Sequence, residues 1–398
     1  MTLRAQSFAT DGTAQDAARA LIDGARRAFG PDGPRLLFVF ASTTQPLGAL
    51  AGALREGLPK TTILSASTAG EFTERGDRKS GVAALALHCD DDEFVCSGGI
   101  ATGLSSDPDV AVARALEGQP LAVEGYPHQT AVLLLDPLAG HAEEAALLLA
   151  TRLGEHARIA GGAAGDDLAM KLTHVGYNGV VSSDAAVVAL VHSKHPIGIG
   201  VKHGHRSFTE PFTITSASGS LVRSIEGKPA WPFWRELVRD EAERAGYDVD
   251  VLDPSKLGAL LLQFEGALDV GSELKVRAPL ALEGDAIRFA CEIPEGARLR
   301  ITQSSAEAQV ASALEAARLA KGQLGGAKVA GAVVFDCICR NLILGAQFDA
   351  AVKGISTALD GAPIAGFETY GEIALVEGDL SGFHNTTSVV LAFGAADG

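Results

Sequence analysis

Cys337-Ile-Cys-Arg-Asn341 closes an apolar strand, the place where α/β folds put their ligands. Arg340 could grip a carboxylate with two parallel N–H bonds, and Cys337 could act as a thiolate if a cation lowered its pKa. A buried cysteine more often behaves as a small hydrophobe, so Arg340 is the favoured contact and catalysis by Cys337 is not expected. His384, in Phe383-His-Asn-Thr-Thr387, could ligate a metal or haem or change charge near neutral pH, but it equally suits a polar loop. Three glycine-bearing turns offer anion-binding concavities built from backbone N–H groups: Thr68-Ala-Gly70-Glu71, Gly161 to Gly165 (which includes Gly162), and Gly366 to Glu372. The third, with Phe367, Glu368, Tyr370, Gly371 and Glu372, carries the most chemistry. Each turn equally suits a tight strand exit needed only for packing. GxGxxG, P-loop, HExxH and GxSxG spacings are all absent, and the remaining histidines, including the pair His203 and His205, show no zinc-site spacing with neighbouring Cys, Asp or Glu.

These turns are positioned by a plan that occurs three times: an apolar strand, an amphipathic helix, a turn-bearing strand, a polar loop and a last apolar strand. The copies begin at Arg35, Ala131 and Gly331 and end at His88, His192 and Phe393, with helices expected near 46 to 57, 141 to 153 and 346 to 359. Self-similarity of this kind fixes architecture before any single motif does. A helix over about 13 to 29 starts at a Thr13 cap, another opens at Asp107-Pro108, and a third opens at the capping box Ser304-Ser-Ala-Glu307. Because 82 to 192 and 286 to 393 show one element order, the expected fold is α/β (α+β). It comprises two homologous halves of mixed β-sheets covered by helices, 1–224 and 225–398, built from repeated β-α-β-β units.

A chain of 398 residues with 47% hydrophobic content can bury large cores. Its 33 basic and 49 acidic residues give a net charge of -16, which opposes binding to nucleic acid or anionic membrane. No apolar run reaches the roughly 18 residues of a membrane helix, and the amino terminus lacks a secretory core. Five scattered cysteines suit neither a disulfide framework nor a CxxC metal pair, so a reduced, cytoplasmic protein is expected.

Taken in order, Ser65-Ala-Ser-Thr-Ala-Gly-Glu71, Ile159-Ala-Gly-Gly162, Val222 to Ala230, Cys337-Ile-Cys-Arg340, Gly366 to Ile373 and Phe383 to Thr387 resemble the FIST family. These are sensory domains named for F-box and intracellular signal-transduction proteins. The resemblance implies a small-ligand sensor of bacterial signal transduction, with amino acids as the suggested ligands. It also implies a haem version, in which haem b, held by His384, senses nitric oxide and the protein regulates a histidine kinase. Carried over, the ligand rim comprises Gly70, Glu71, Arg340, Tyr370, Glu372, His384 and Asn385; the turns themselves add Thr68, Gly162, Gly366 and Gly371, and the strand end adds Cys337. No output segment precedes Thr13 or follows Phe393, so any signal is expected to pass to a separate protein; a homo-oligomer is compatible with this reading. The expectation is a binding protein, not an enzyme. The alternatives are a thiol enzyme using Cys337 with His384 as base, and a protein-binding scaffold without ligand.

Overall fold

Strands buried on both faces read as unbroken apolar runs, and three such runs seed three sheets. The computed structural model describes residues 3–90, 92–251, 253–270, 273–376 and 382–396. As expected, the protein is α/β, with mixed sheets covered by helices. Copy 1 contains Leu36–Ser42, helix Leu47–Gly57, Thr62–Thr68, the hairpin Glu71–Thr73 with Gly76–Arg78, and Val82–His88. Copies 2 and 3 repeat it with Ile159–Ala163 and Ile364–Thr369 as the turn-bearing strands and Ala185–Ser193 and Thr387–Ala395 as the last ones. In each copy the turn-bearing strand runs parallel to the first strand, and the last strand pairs antiparallel on its other side.

Each unit is longer than the sequence plan. A leading strand and helix precede it: Arg4–Thr10 and Ala14–Phe29 in copy 1, Phe94–Thr102 and Pro108–Leu116 in copy 2, Ile197–His203 and Ala306–Gly322 in copy 3. Thr13 and Asp107 cap as the sequence signals, each accepting a first-turn N–H, while the third cap is Ser305, one residue after the Ser304 that the capping box implied. In copy 3 a segment spanning 205–304 intervenes between strand and helix. It folds as a nine-stranded sheet with helices Ala230–Arg244 and Leu257–Gln263 around Trp234, Phe264 and Phe289. The strands read at 286 and 298 therefore belong to this insertion, and the equivalent of Phe94–Thr102 is Ile197–His203. The division expected at 224/225 falls inside strand Leu221–Ile225.

The hairpins are exchanged around a ring. Copy 1's hairpin joins copy 3's sheet, with Phe72 opposite Gly366; copy 2's joins copy 1's, with Gly176 opposite Ser65; copy 3's joins copy 2's, with Ile373 opposite Gly161. The inner faces of the three sheets pack one shared core in which Phe40 lies 4.6 Å from Phe367, and Phe335 lies 5.8 Å from Phe367. The outer faces are covered by helices over separate clusters. Full burial of each aromatic stabilises by about 1.5–3 kcal/mol.

Candidate functional site

Two of the three turns share the sequence Thr-x-Gly-Glu, and both fold alike. Thr68 Oγ1 donates to Glu71 Oε2 at 3.0 Å, and the Gly81 N–H donates to Oε1 at 2.5 Å. Thr369 Oγ1 likewise donates to Glu372, whose other oxygen accepts the Thr387 N–H at 3.1 Å. In each case the hydroxyl and an amide entering the last strand fix the glutamate that starts the exchanged hairpin. The three turns converge, but their amides bond to one another: Ala69 N–H to Glu368 O, Gly165 N–H to Ser67 O, and Ala163 N–H to Gly371 O. Glycine is required by these close approaches. A Cβ at Gly70 would lie 2.6 Å from the Glu368 carboxyl carbon, and one at Gly366 would lie 2.4 Å from the Phe72 ring. Gly162 and Gly371 are similarly backed by Thr369 and Phe383. The turns form a buried clasp between copies.

Burial dominates the electrostatics of the clasp. It raises Glu71 to about 7; it raises Glu368, which also faces Asp77, to about 10; and it holds Glu372 well above the carboxylate range. Glu71 therefore binds its proton more tightly folded than unfolded, where its value is 4.5. Its contribution to stability is full below about pH 4.5 and falls by about 3 kcal/mol as pH rises through 7. Glu71→Gln keeps a donor and an acceptor for Thr68 and Gly81, so it should flatten this slope and melt higher than wild type at pH 8, but not at pH 4.5. Calorimetry at both pH values checks it; parallel pH profiles for the two proteins would refute the assignment.

Arg340 and His384 face inward. Arg340, fully buried, donates to Asp336 at 2.7 Å, to Ser312 Oγ and Gln309 O at 2.9 Å each, and to Gln309 Oε1. His384 Nε2 donates to Ala374 O at 3.2 Å, and burial holds the ring neutral, its pKa well below 6.5. His384, the residue singled out for haem, does not line the cavity described next.

A cavity of about 730 Å³ opens where the strand ends of copies 2 and 3 face the insertion. Of the sequence candidates, it brings together Cys337, Tyr370 and Asn385. Asn385 Oδ1 accepts from the Ala278 N–H and the Cys291 thiol, which ties the insertion to copy 3. Tyr370 donates to Asp166 Oδ1 at 2.5 Å. Burial works against the Asp166 anion, but Tyr370 and the N–H groups of Leu172, Lys171 and Met170 hold its pKa below the usual range. Asp166 thereby cinches a loop in which Asp167, Leu168 and Met170 all have positive φ, and Leu168 and Met170 border the cavity. Its wall is mainly apolar, and Leu138, Leu168, Met170, Leu280 and Leu342, each 38–50% exposed, rim it. Behind Glu143, on the same wall, stand buried Lys275 (2.9 Å) and Arg277 (2.8 Å). Burial, helped by Arg277, lowers Lys275 to about 8. Cys337 is held well above 9 by burial and by Cys339, so its thiol stays protonated.

Sequence reading missed the residues from 137 to 144, 168 to 170 and 278 to 292. The Asp136-Pro137 strand end, equivalent in place to the end of Lys328–Cys337, was the signal that could have found the first group.

Two domain families account for most of this framework: the sequence matches the FIST N domain over residues 35–228 and the FIST C domain over 233–375. The chain belongs to the FIST family. FIST domains are associated with signal transduction and small-ligand sensing. The FIST N match takes in copy 1 from Leu36–Ser42 onward, copy 2, the leading strand Ile197–His203 of copy 3 and part of the insertion, so the hairpin exchange bonds FIST N to FIST C directly. Uncharacterized protein Rv0628c of Mycobacterium tuberculosis is 27% identical over 217 residues, 50% of this chain and 51% of that protein. Uncharacterized protein MJ1623 of Methanocaldococcus jannaschii is 25% identical over 163 residues, 39% of this chain and 31% of that protein. The chain thus spans about half or less of the relatives it matches. Among the described residues no helix is long and apolar enough to cross a membrane.

Proposed function

We propose that this FIST protein is a small-ligand sensor whose ligand enters the 730 Å³ cavity and whose output is a separate signalling protein such as a histidine kinase. The reading is carried by one observation: three parts of the chain, copy 2, copy 3 and the insertion, wall a single apolar cavity at the strand ends. A ligand with an apolar body suits the leucine and methionine rim. An occupant touching all three parts can bias their arrangement only by its differential affinity for the two states. Binding rather than catalysis is supported by the protonated, buried Cys337.

Native mass spectrometry with a visible absorption spectrum on the protein as isolated tests the proposal. The expected result is a retained small-molecule adduct, lost on denaturation, without a Soret band. Leu280→Glu, at the 42% exposed rim, should lower its occupancy roughly tenfold without moving the melting temperature. Absence of any adduct, together with no thermal shift across amino acids and apolar metabolites, would remove the cavity as a sensing site.

A further inference from the structure

A second hollow, of about 1360 Å³, adjoins the first. It is an open groove between strands Ile197–His203 and His205–Ser207, the 306–318 stretch of helix Ala306–Gly322, and helices Leu257–Gln263 and Ile338–Leu344. Its apolar surface comes from Ala259, Leu262, Ala308, Ala311, Leu342 and Ile343. Along it stand three cations, Lys202, Arg206 and Arg318, against one carboxylate, Glu315. In a chain of net charge -16 this is a local reversal of sign. Lys202 and Arg206 make no ion pair or side-chain hydrogen bond among the described residues. Arg318 has only a loose pair with Glu315 at 3.7 Å, both largely exposed.

Two helices of seven residues separate groove from cavity, and Leu262 and Leu342 belong to the walls of both. Leu342 is 49% exposed, a large apolar side chain left toward solvent between two hollows.

We propose that this groove docks an acidic amphipathic helix of a partner protein. An apolar stripe on such a helix meets the alanine and leucine surface, and its flanking carboxylates meet Lys202, Arg206 and Arg318. A nucleic acid fits less well, because the whole chain repels a phosphate backbone and the groove surface offers it apolar contacts. Lys202 and Arg206, unpaired among the described residues, accept a new anion without first breaking an existing pair, and they steer encounter. The shared leucines give cavity occupancy a short mechanical route to the docked helix; this coupling alone rests on the sensor reading above.

The test is fluorescence anisotropy on the full chain with a fluorescein-labelled synthetic helix carrying a leucine stripe flanked by glutamates. The same peptide with lysines for glutamates and a single-stranded oligonucleotide serve as comparators. The acidic helix should bind wild type, weaken with added salt, and bind the Lys202→Glu/Arg206→Glu variant at least roughly tenfold more weakly. The variant should melt as wild type does, because neither side chain holds a partner among the described residues. Equal binding to wild type and variant, no binding of the acidic helix, or preference for the lysine peptide or the oligonucleotide would each overturn the proposal. An adduct in native mass spectrometry alongside a failed anisotropy assay would remove the groove and leave the sensor reading standing; the converse would remove the cavity and leave the groove.

Discussion

Expressed apart, residues 1–224 and 225–398 should each fail to fold, and the two mixed from denaturant should regain one cooperative transition. The cut severs every arm of the ring that involves copy 3. Strand Glu71–Thr73 loses Ile364–Thr369, Ile159–Ala163 loses Glu372–Leu375, and Ile197–His203 loses Thr387–Ala395. It also opens the shared core, leaving Phe38 and Phe40 without Phe393, Phe335 and Phe367. At about 1.5–3 kcal/mol for each large side chain re-exposed, these few residues alone match a typical domain stability of about 5–15 kcal/mol. Bared strand edges would add aggregation to the loss. Far-UV circular dichroism with size-exclusion chromatography reads the outcome. A 1–224 fragment that is monomeric and melts cooperatively within a few degrees of the intact chain would show that the exchanged hairpins and shared core contribute little.

The repeats were legible because sheets covered on both faces need continuous apolar strands, and Leu36–Ser42, His128–Leu135 and Lys328–Cys337 supply them. Helix starts were legible, to within one residue at the third, because Thr13, Asp107 and the serines at 304 and 305 carry their own hydrogen-bond acceptors. The exchange was not. Its hairpin strands are two to four residues long, too short for a period, and their partners lie as far away as Phe72 from Gly366. Nor was the threefold plan fully visible, because 205–304 separates Ile197–His203 from the helix that follows it in the other copies and supplies strands of its own. At the site, composition pointed correctly to the turns meeting in space, since Thr68, Gly162 and Thr369 do converge. Spacing cannot report that their amides are mutually satisfied. The cavity takes some candidates and not their neighbours: Cys337 and Tyr370 line it, while Arg340 and Glu372 are fully buried away from it. A helix turns successive side chains by 100°, so naming the right segment does not name the right residue.

Arg340 makes the difference measurable. As a ligand clamp it would be dispensable for folding; as a buried structural cation it holds Asp336, Gln309 and Ser312 across strand Lys328–Cys337 and helix Ala306–Gly322. Arg340→Met should cost about 3–5 kcal/mol, because an uncompensated carboxylate remains in a site where both partners are nearly solvent-free. Burial already raises Asp336 against the pull of Arg340. Without the guanidinium its folded pKa rises further above the unfolded value, so the loss should be larger at pH 8 than at pH 5, where protonation relieves the stranded charge. Adding Asp336→Asn should recover part of the loss at pH 8 and little at pH 5, the non-additivity expected of one network. Arg340→Lys should fall between, since a single ammonium cannot reach the acceptors that the planar fork serves together. Chemical denaturation of the four proteins at both pH values decides the matter. Wild-type stability in Arg340→Met with loss of a retained ligand would instead return Arg340 to the binding site.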